Sequence, residues 1–180
     1  DSVAYRTPSE IAATSVNAGV AKSRAGTVTL IVLGFLAGSF IAMAAVASHT
    51  VSYALGAWAG PSAAKLISGL VFSVGIVMVI IGGGELFTGN SLMVMALLDR
   101  RIRVGALIRN WVIVYFSNMA GAVFVAWLYH ETGLWQTADG ASAQALIMTA
   151  MRKSSLEFWP AFFRGVLCNW RVCMGVWMSY

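Results

Sequence analysis

From Gly82 to Asn90 the chain reads Gly-Gly-Gly-Glu-Leu-Phe-Thr-Gly-Asn, its densest gathering of groups able to do chemistry. Three glycines let the backbone leave regular structure and turn amide N–H groups into donors. Thr88 and Asn90 add side-chain donors beside the acid Glu85. The run lacks the Lys and the spacing of a phosphate-binding loop. Asn169 is a second candidate, a polar group in an apolar run. Arg171 lies two positions on, about 200° around a helix, so it cannot share the face of Asn169. Cys168 and Cys173 fall in the same run, with a spacing that suits neither a zinc site nor a redox pair, and are expected to be buried thiols. His49, His130 and Lys153 stand in polar surroundings and read as solvated. With no nucleophile–base pair and no metal cluster in the sequence, an enzyme is not expected, and neither is a cofactor. The chemistry available is that of holding and passing a solute.

What must position these groups follows from composition. Of 180 residues 59% are hydrophobic and 11% charged. A soluble domain carries about 25% charged residues. The solvent is therefore lipid. The apolar runs are too long and too continuous for the short alternating segments of a membrane barrel, which leaves helices. The formal net charge of +5 sits at the ends of apolar runs and not in an aromatic-interleaved patch, so nucleic acid is not an expected partner.

Thr7-Pro8-Ser9-Glu10 has the form of a capping box with Pro at the first helical position, and it opens an amphipathic, interfacial helix over 7–23. A first span covers 25–48, enough for the roughly 20 residues a bilayer core requires. It contains Gly34 and Gly38, a small-residue pair that would let another helix approach closely. His49 to Gly60 is expected to be a loop. Pro61 to Leu98 would form a helix about 57 Å long, too long for one crossing. The second span is therefore expected to break at residues 82–91. A basic loop from Asp99 to Arg103 leads to a third span over 107–129, with Trp111 and Trp127 at interfacial belt positions. A short amphipathic helix is expected around Ala143 to Arg152, as a cap on one face. A fourth span covers 161–180.

Arg6, Lys22 and Arg24 flank the first span and Arg100, Arg101 and Arg103 follow the second, whereas His49–Gly60 has neither Lys nor Arg. By the positive-inside rule the N-terminus is cytoplasmic. Arg152 and Lys153 run against that rule and ask for a functional reason. A non-helical break at membrane depth is tolerated only where it lines protein or a water-filled path, so residues 82–91 become the leading site. A glycine-rich packing kink is the plainer alternative. Asn169 lies about 14 Å past Pro160, near mid-membrane, where it either serves a path or acts as interhelical glue. Glu85 reads as the acid that keeps the break in shape. Arg171 should pair with an acid or reach a subunit interface, given its insertion cost of about 3 kcal/mol.

Gly84-Glu85-Leu86-Phe87-Thr88-Gly89-Asn90, Cys168-Asn169-Trp170, Val172-Cys173, Val176-Trp177-Met178-Ser179-Tyr180 and the stretch from Asn110-Trp111 to Asn118 together resemble the formate/nitrite transporter family, its formate branch in particular. The resemblance runs from Thr7-Pro8 to Tyr180. It implies an all-α integral membrane protein, an aquaporin-like inverted-repeat helical bundle of six spans, arranged as a homopentamer with one pore in each protomer. Four of the six expected spans lie within this chain, the second of them broken. The fifth, with the family's pore histidine, is expected beyond Tyr180.

Matched by motif, Thr88 and Asn169 would lie near that histidine, and Lys153 would be the vestibule lysine that draws anions inward. Phe72 and Ile76 would supply one apolar lining, and Leu86 and Phe87 the cytoplasmic slit. Arg171 stands where the family usually has Leu. The implied function is passage of formate or a related small monovalent weak-acid anion across the bacterial inner membrane. Nitrite or hydrosulfide transport is the alternative within the family. A non-conducting scaffold and a neutral-solute channel are the alternatives outside it.

Overall fold

A computed structural model describes residues 6–56, 58–137 and 140–180. Helix α1 (Pro8–Arg24) begins where the capping box closes: the Thr7 hydroxyl accepts from the Glu10 N–H, and the Glu10 carboxylate accepts from the Thr7 N–H at 2.7 Å. Each bond satisfies a donor that the first turn leaves open. Its inner face packs Val20 into a core with Met93, Ala96, Ile102 and Leu107. Gly19 faces Ala96 so closely that a side chain there would meet the Ala96 methyl at 2.9 Å.

Among the described residues three helices are long and apolar enough to cross a membrane: α2 (Thr27–Gly56, 30 residues), α3 (Gly60–Ile81, 22 residues) and α5 (Val104–Glu131, 28 residues). The short α4 (Met93–Leu98) follows the break in the second apolar run. Helix α6 (Ala141–Ser154) sits across the far ends of α2 and α5, and α7 (Phe158–Ser179) follows. Helix α7 matches α3 in length, 22 residues, but carries Arg164, Asn169 and Arg171 and buries none of its side chains within this chain. The described residues contain no β-strand.

Small residues set the helix crossings, since association in lipid depends on close packing. Gly34 meets the Ser117 side chain, Gly38 lies directly against the Asn118 backbone, and across the same crossing Gly121 lies against the Phe35 carbonyl. Ser39 donates to Phe35 O at 2.9 Å and stands 3.3 Å from Gly121 O. On the other side of α2, Gly75 of α3 lies against Ala44.

Two sequence expectations change here. The segment from His49 is not a loop, because α2 continues to Gly56. The His49 ring packs 3.3 Å from the buried Ser142 hydroxyl of α6, and the Thr50 hydroxyl donates back to Val46 O at 3.0 Å. Polar residues there extend the helix instead of ending it. Trp111 is not a belt residue either: half-buried, it donates its indole N–H inward to Asn90 O at 3.0 Å.

Candidate functional site

The break begins as a helix stop encoded by glycine. Gly83 takes φ +66°, which L side chains rarely adopt. Gly83 N–H then reaches Ile80 O at 3.3 Å, and Gly84 N–H reaches Val79 O at 2.8 Å. That pair of bonds is the Schellman closure, which satisfies carbonyls at a helix end. Residues 82–88 run irregularly, and a short 3₁₀ turn from Gly89 to Leu92 leads into α4.

Backbone groups exposed at membrane depth need partners, and neighbouring helices provide most of them. Glu85 N–H donates to Leu33 O of α2 at 3.1 Å. Asn118 of α5 works as a bracket: its Nδ2 donates to Gly34 O (2.7 Å) and to Glu85 O (2.8 Å), and its Oδ1 accepts from Phe87 N–H (2.9 Å). Among the described residues, the N–H groups of Leu86, Thr88 and Gly89 donate to no protein acceptor. Two of those three residues, Leu86 and Gly89, line a cavity of about 160 Å³ bounded also by Lys22, Ile76, Asn90, Val176 and Tyr180.

Behind the loop lies a polar cluster. Lys22 Nζ reaches Glu85 Oε2 at 2.9 Å and Asn90 Oδ1 at 3.0 Å. Asn90 Nδ2 donates both to Glu85 Oε2 (2.7 Å) and to Asn110 Oδ1 (2.8 Å). Glu85 is 8% exposed, Asn90 1% and Asn110 0%, so each of these bonds forms largely out of water. A lone buried carboxylate is costly, and the ammonium and the amide together offset its desolvation.

The structure brings Glu85, Asn90, Leu86, Thr88, Ile76 and Asn169 around this break and leaves three other candidates apart. Asn169 of α7 donates to Ser91 Oγ at 3.1 Å, and Cys173, one turn on, approaches Thr88 O at 3.4 Å. The Phe87 ring is turned to α5, edge-on to Trp111 and Tyr115 at 6.1 and 5.3 Å, and does not border the cavity. Phe72, one turn before Ile76, is exposed on α3, and Lys153 is exposed on the last turn of α6. Cys168 is exposed and Cys173 only half-buried, which corrects the expectation of two buried thiols: α7 lies at the edge of this chain. Among the described residues no carboxylate lies within ion-pair distance of Arg171.

Lys22, Asn110, Asn118, Ser91 and Cys173 take part here without having been singled out for it from the sequence. Lys22 looked like a topology signal. Asn110 and Asn118, polar in an otherwise apolar span, did carry a usable sign, because such residues seldom face lipid.

Long apolar helices, one run of them interrupted by a bracketed loop beside a cavity, define an α-helical membrane-protein fold. The chain belongs to the formate/nitrite transporter family, whose model matches residues 9–180. It is 39% identical, over 99% of its length, to the uncharacterized transporter YrhG of Bacillus subtilis, covering 66% of that protein. It is 40% identical, over 82% of its length, to the formate channel FocA of Haemophilus influenzae, covering 51% of it. A solved FNT family ion channel matches it with a TM-score of 0.83 and 25% identity, over 95% of this chain and 68% of that one. The chain thus spans between about half and two thirds of the curated relatives it matches.

Proposed function

We propose that this chain forms part of a pore that passes formate, or a related small monovalent weak-acid anion, across the bacterial cytoplasmic membrane. In this reading the N-terminus is cytoplasmic and the protein works as a homopentamer. Lys153 concentrates the anion at the outer mouth, where Coulomb attraction is strong in a low-dielectric setting. Thr88 and Asn169 receive it at the break, Glu85 and Asn90 hold the loop, and Ile76 and Leu86 form the apolar constriction beside it. A bare anion would lose its hydration there, so passage as the neutral acid is favoured.

The observation that carries this reading is that the N–H groups of Leu86, Thr88 and Gly89 have no protein acceptor among the described residues, and that two of these residues, Leu86 and Gly89, line the cavity. Unpaired amides at membrane depth are costly unless water or a solute meets them. Amide N–H groups left open to a path favour an anion over a cation. Similarity to a formate channel and to the formate/nitrite transporter model supports formate first, with nitrite, an anion of the same chemical class, next.

The test is osmotic swelling of liposomes holding the full-length protein, with formate, nitrite, hydrosulfide and glycerol compared. Formate and nitrite should enter faster than glycerol. Replacing Lys153 by Gln should slow uptake at low formate and leave uptake at saturation nearly intact. Equal swelling in glycerol would overturn the anion reading, and an unaltered Lys153→Gln would overturn recruitment.

A further inference from the structure

Helix α7 meets the break along one stripe. Asn169, Cys173, Val176 and Tyr180 recur at helical spacing on a single face. Val176 lies over Gly89, where an added Cβ would stand 3.5 Å from its methyl, and both Val176 and Tyr180 border the cavity. The polar end of the stripe holds two linked contacts. Cys173 Sγ stands 3.0 Å from Asn169 Oδ1 and 3.4 Å from Thr88 O, while Asn169 Nδ2 donates to Ser91 Oγ at 3.1 Å.

These contacts decide which way the amide points. The single S–H of Cys173 has two acceptors in reach, and given to the nearer one, Asn169 Oδ1 at 3.0 Å and not Thr88 O at 3.4 Å, it fixes the carbonyl oxygen as the atom of Asn169 turned to Cys173. That leaves the NH₂ on the side of Ser91 and of the break. Ser91 takes one of the two N–H bonds, and among the described residues the second has no partner. Resting on the reading of this site as an anion path, we propose that Cys173 and Ser91 are positioning residues that hold Asn169 with its donor toward the solute and its acceptor turned away. The amide is chemically two-faced, able to attract or repel an anion according to its orientation. The clamp removes that ambiguity, so selectivity for anions depends on a cysteine that need not touch them.

The experiment measures half-saturating formate concentration and the formate-to-glycerol ratio in liposomes of the full-length protein. Cys173→Ala removes the donor and should raise half-saturation about fivefold, the worth of roughly one neutral hydrogen bond, and lower the ratio. Cys173→Ser, which keeps a donor, should restore both. Ser91→Ala should shift half-saturation in the same direction, and provides the reading should Cys173→Ala fail to assemble. Cys168→Ala, exposed on another face of α7, should behave as wild type. Unchanged half-saturation and ratio in an assembled Cys173→Ala, or in Ser91→Ala, would overturn the clamp while wild type still conducts formate. A wild type that conducts neither formate nor nitrite would overturn the path itself, and the clamp with it.

Discussion

Lys22, on a helix at the rim of the fold, reaches Glu85 in the middle of the broken span, with 2.9 Å between ammonium and carboxylate across 63 positions of sequence. The pair ties an amphipathic surface helix to the least regular backbone in the protein. Removing the ammonium alone should therefore cost more than removing both charges. Lys22→Met should destabilise by about 2 to 3 kcal/mol, below the full penalty for a buried pair because Lys22 is partly exposed. The double variant Lys22→Met with Glu85→Gln should recover part of that loss. Thermal unfolding in detergent of both variants measures it, and a single variant as stable as wild type would show that the pair is idle.

Asn118 should be the most sensitive side chain on α5. Its replacement by Ala removes the acceptor for Phe87 N–H and the donors to Gly34 and Glu85 carbonyls. A loss of about 2 to 3 kcal/mol follows, since buried polar groups are left open. Asn118→Asp keeps the acceptor and loses both donors, so it should fail to rescue. Melting temperature read together with formate uptake distinguishes this bracket from simple helix packing, which Asp would largely preserve.

Two glycines make a paired test of close approach. Gly38→Ala would drive a methyl onto the Asn118 backbone, whereas a Cβ on Gly69 of α3 meets nothing within 4 Å. The first substitution should cost about 3 kcal/mol or prevent assembly. The second should leave gel-filtration profile and melting temperature unchanged. Equal tolerance at both positions would refute the tight crossing of α2 and α5.

The start of α1 should respond to acid. The Thr7 backbone N–H, and after it the Thr7 hydroxyl, hold the Glu10 carboxyl below its ordinary value, with Arg6 adding attraction. A folded value lowered in this way contributes stability above the unfolded value, and that contribution is lost as pH falls through the folded value. Hydrogen exchange, corrected for intrinsic rates, should show the first turn of α1 losing protection below the usual carboxylate range while α5 keeps its own. Glu10→Gln should abolish that pH dependence.

The elements were largely legible because hydropathy and glycine act along the chain. The capping box at Thr7, the overlong run from Pro61 and its glycine-rich interruption could all be read without knowing a neighbour. The end of α2 was not, because His49 is polar wherever it stands and only α6, brought beside it, makes helix the better state. Trp111 was misread for the same reason. An indole near the end of a span satisfies the belt pattern, yet here the Asn90 carbonyl, in the turn that follows the break, lies 3.0 Å away and takes its N–H.

The site divides along the same line. Sequence alone determined that the chain lives in lipid, that its second span breaks at the glycines, and that the break and Asn169 are its polar anomalies, because each is a matter of composition or spacing within one segment. Only the tertiary structure decided that Lys22 neutralises Glu85, that Asn118 brackets the loop, and that Ser91 and Cys173 orient Asn169. All but Cys173, one turn from Asn169 on the same helix, are far from their partners in sequence, 78 positions in the case of Asn169 and Ser91. Any of several polar side chains could have met each need, and helix packing chose among them.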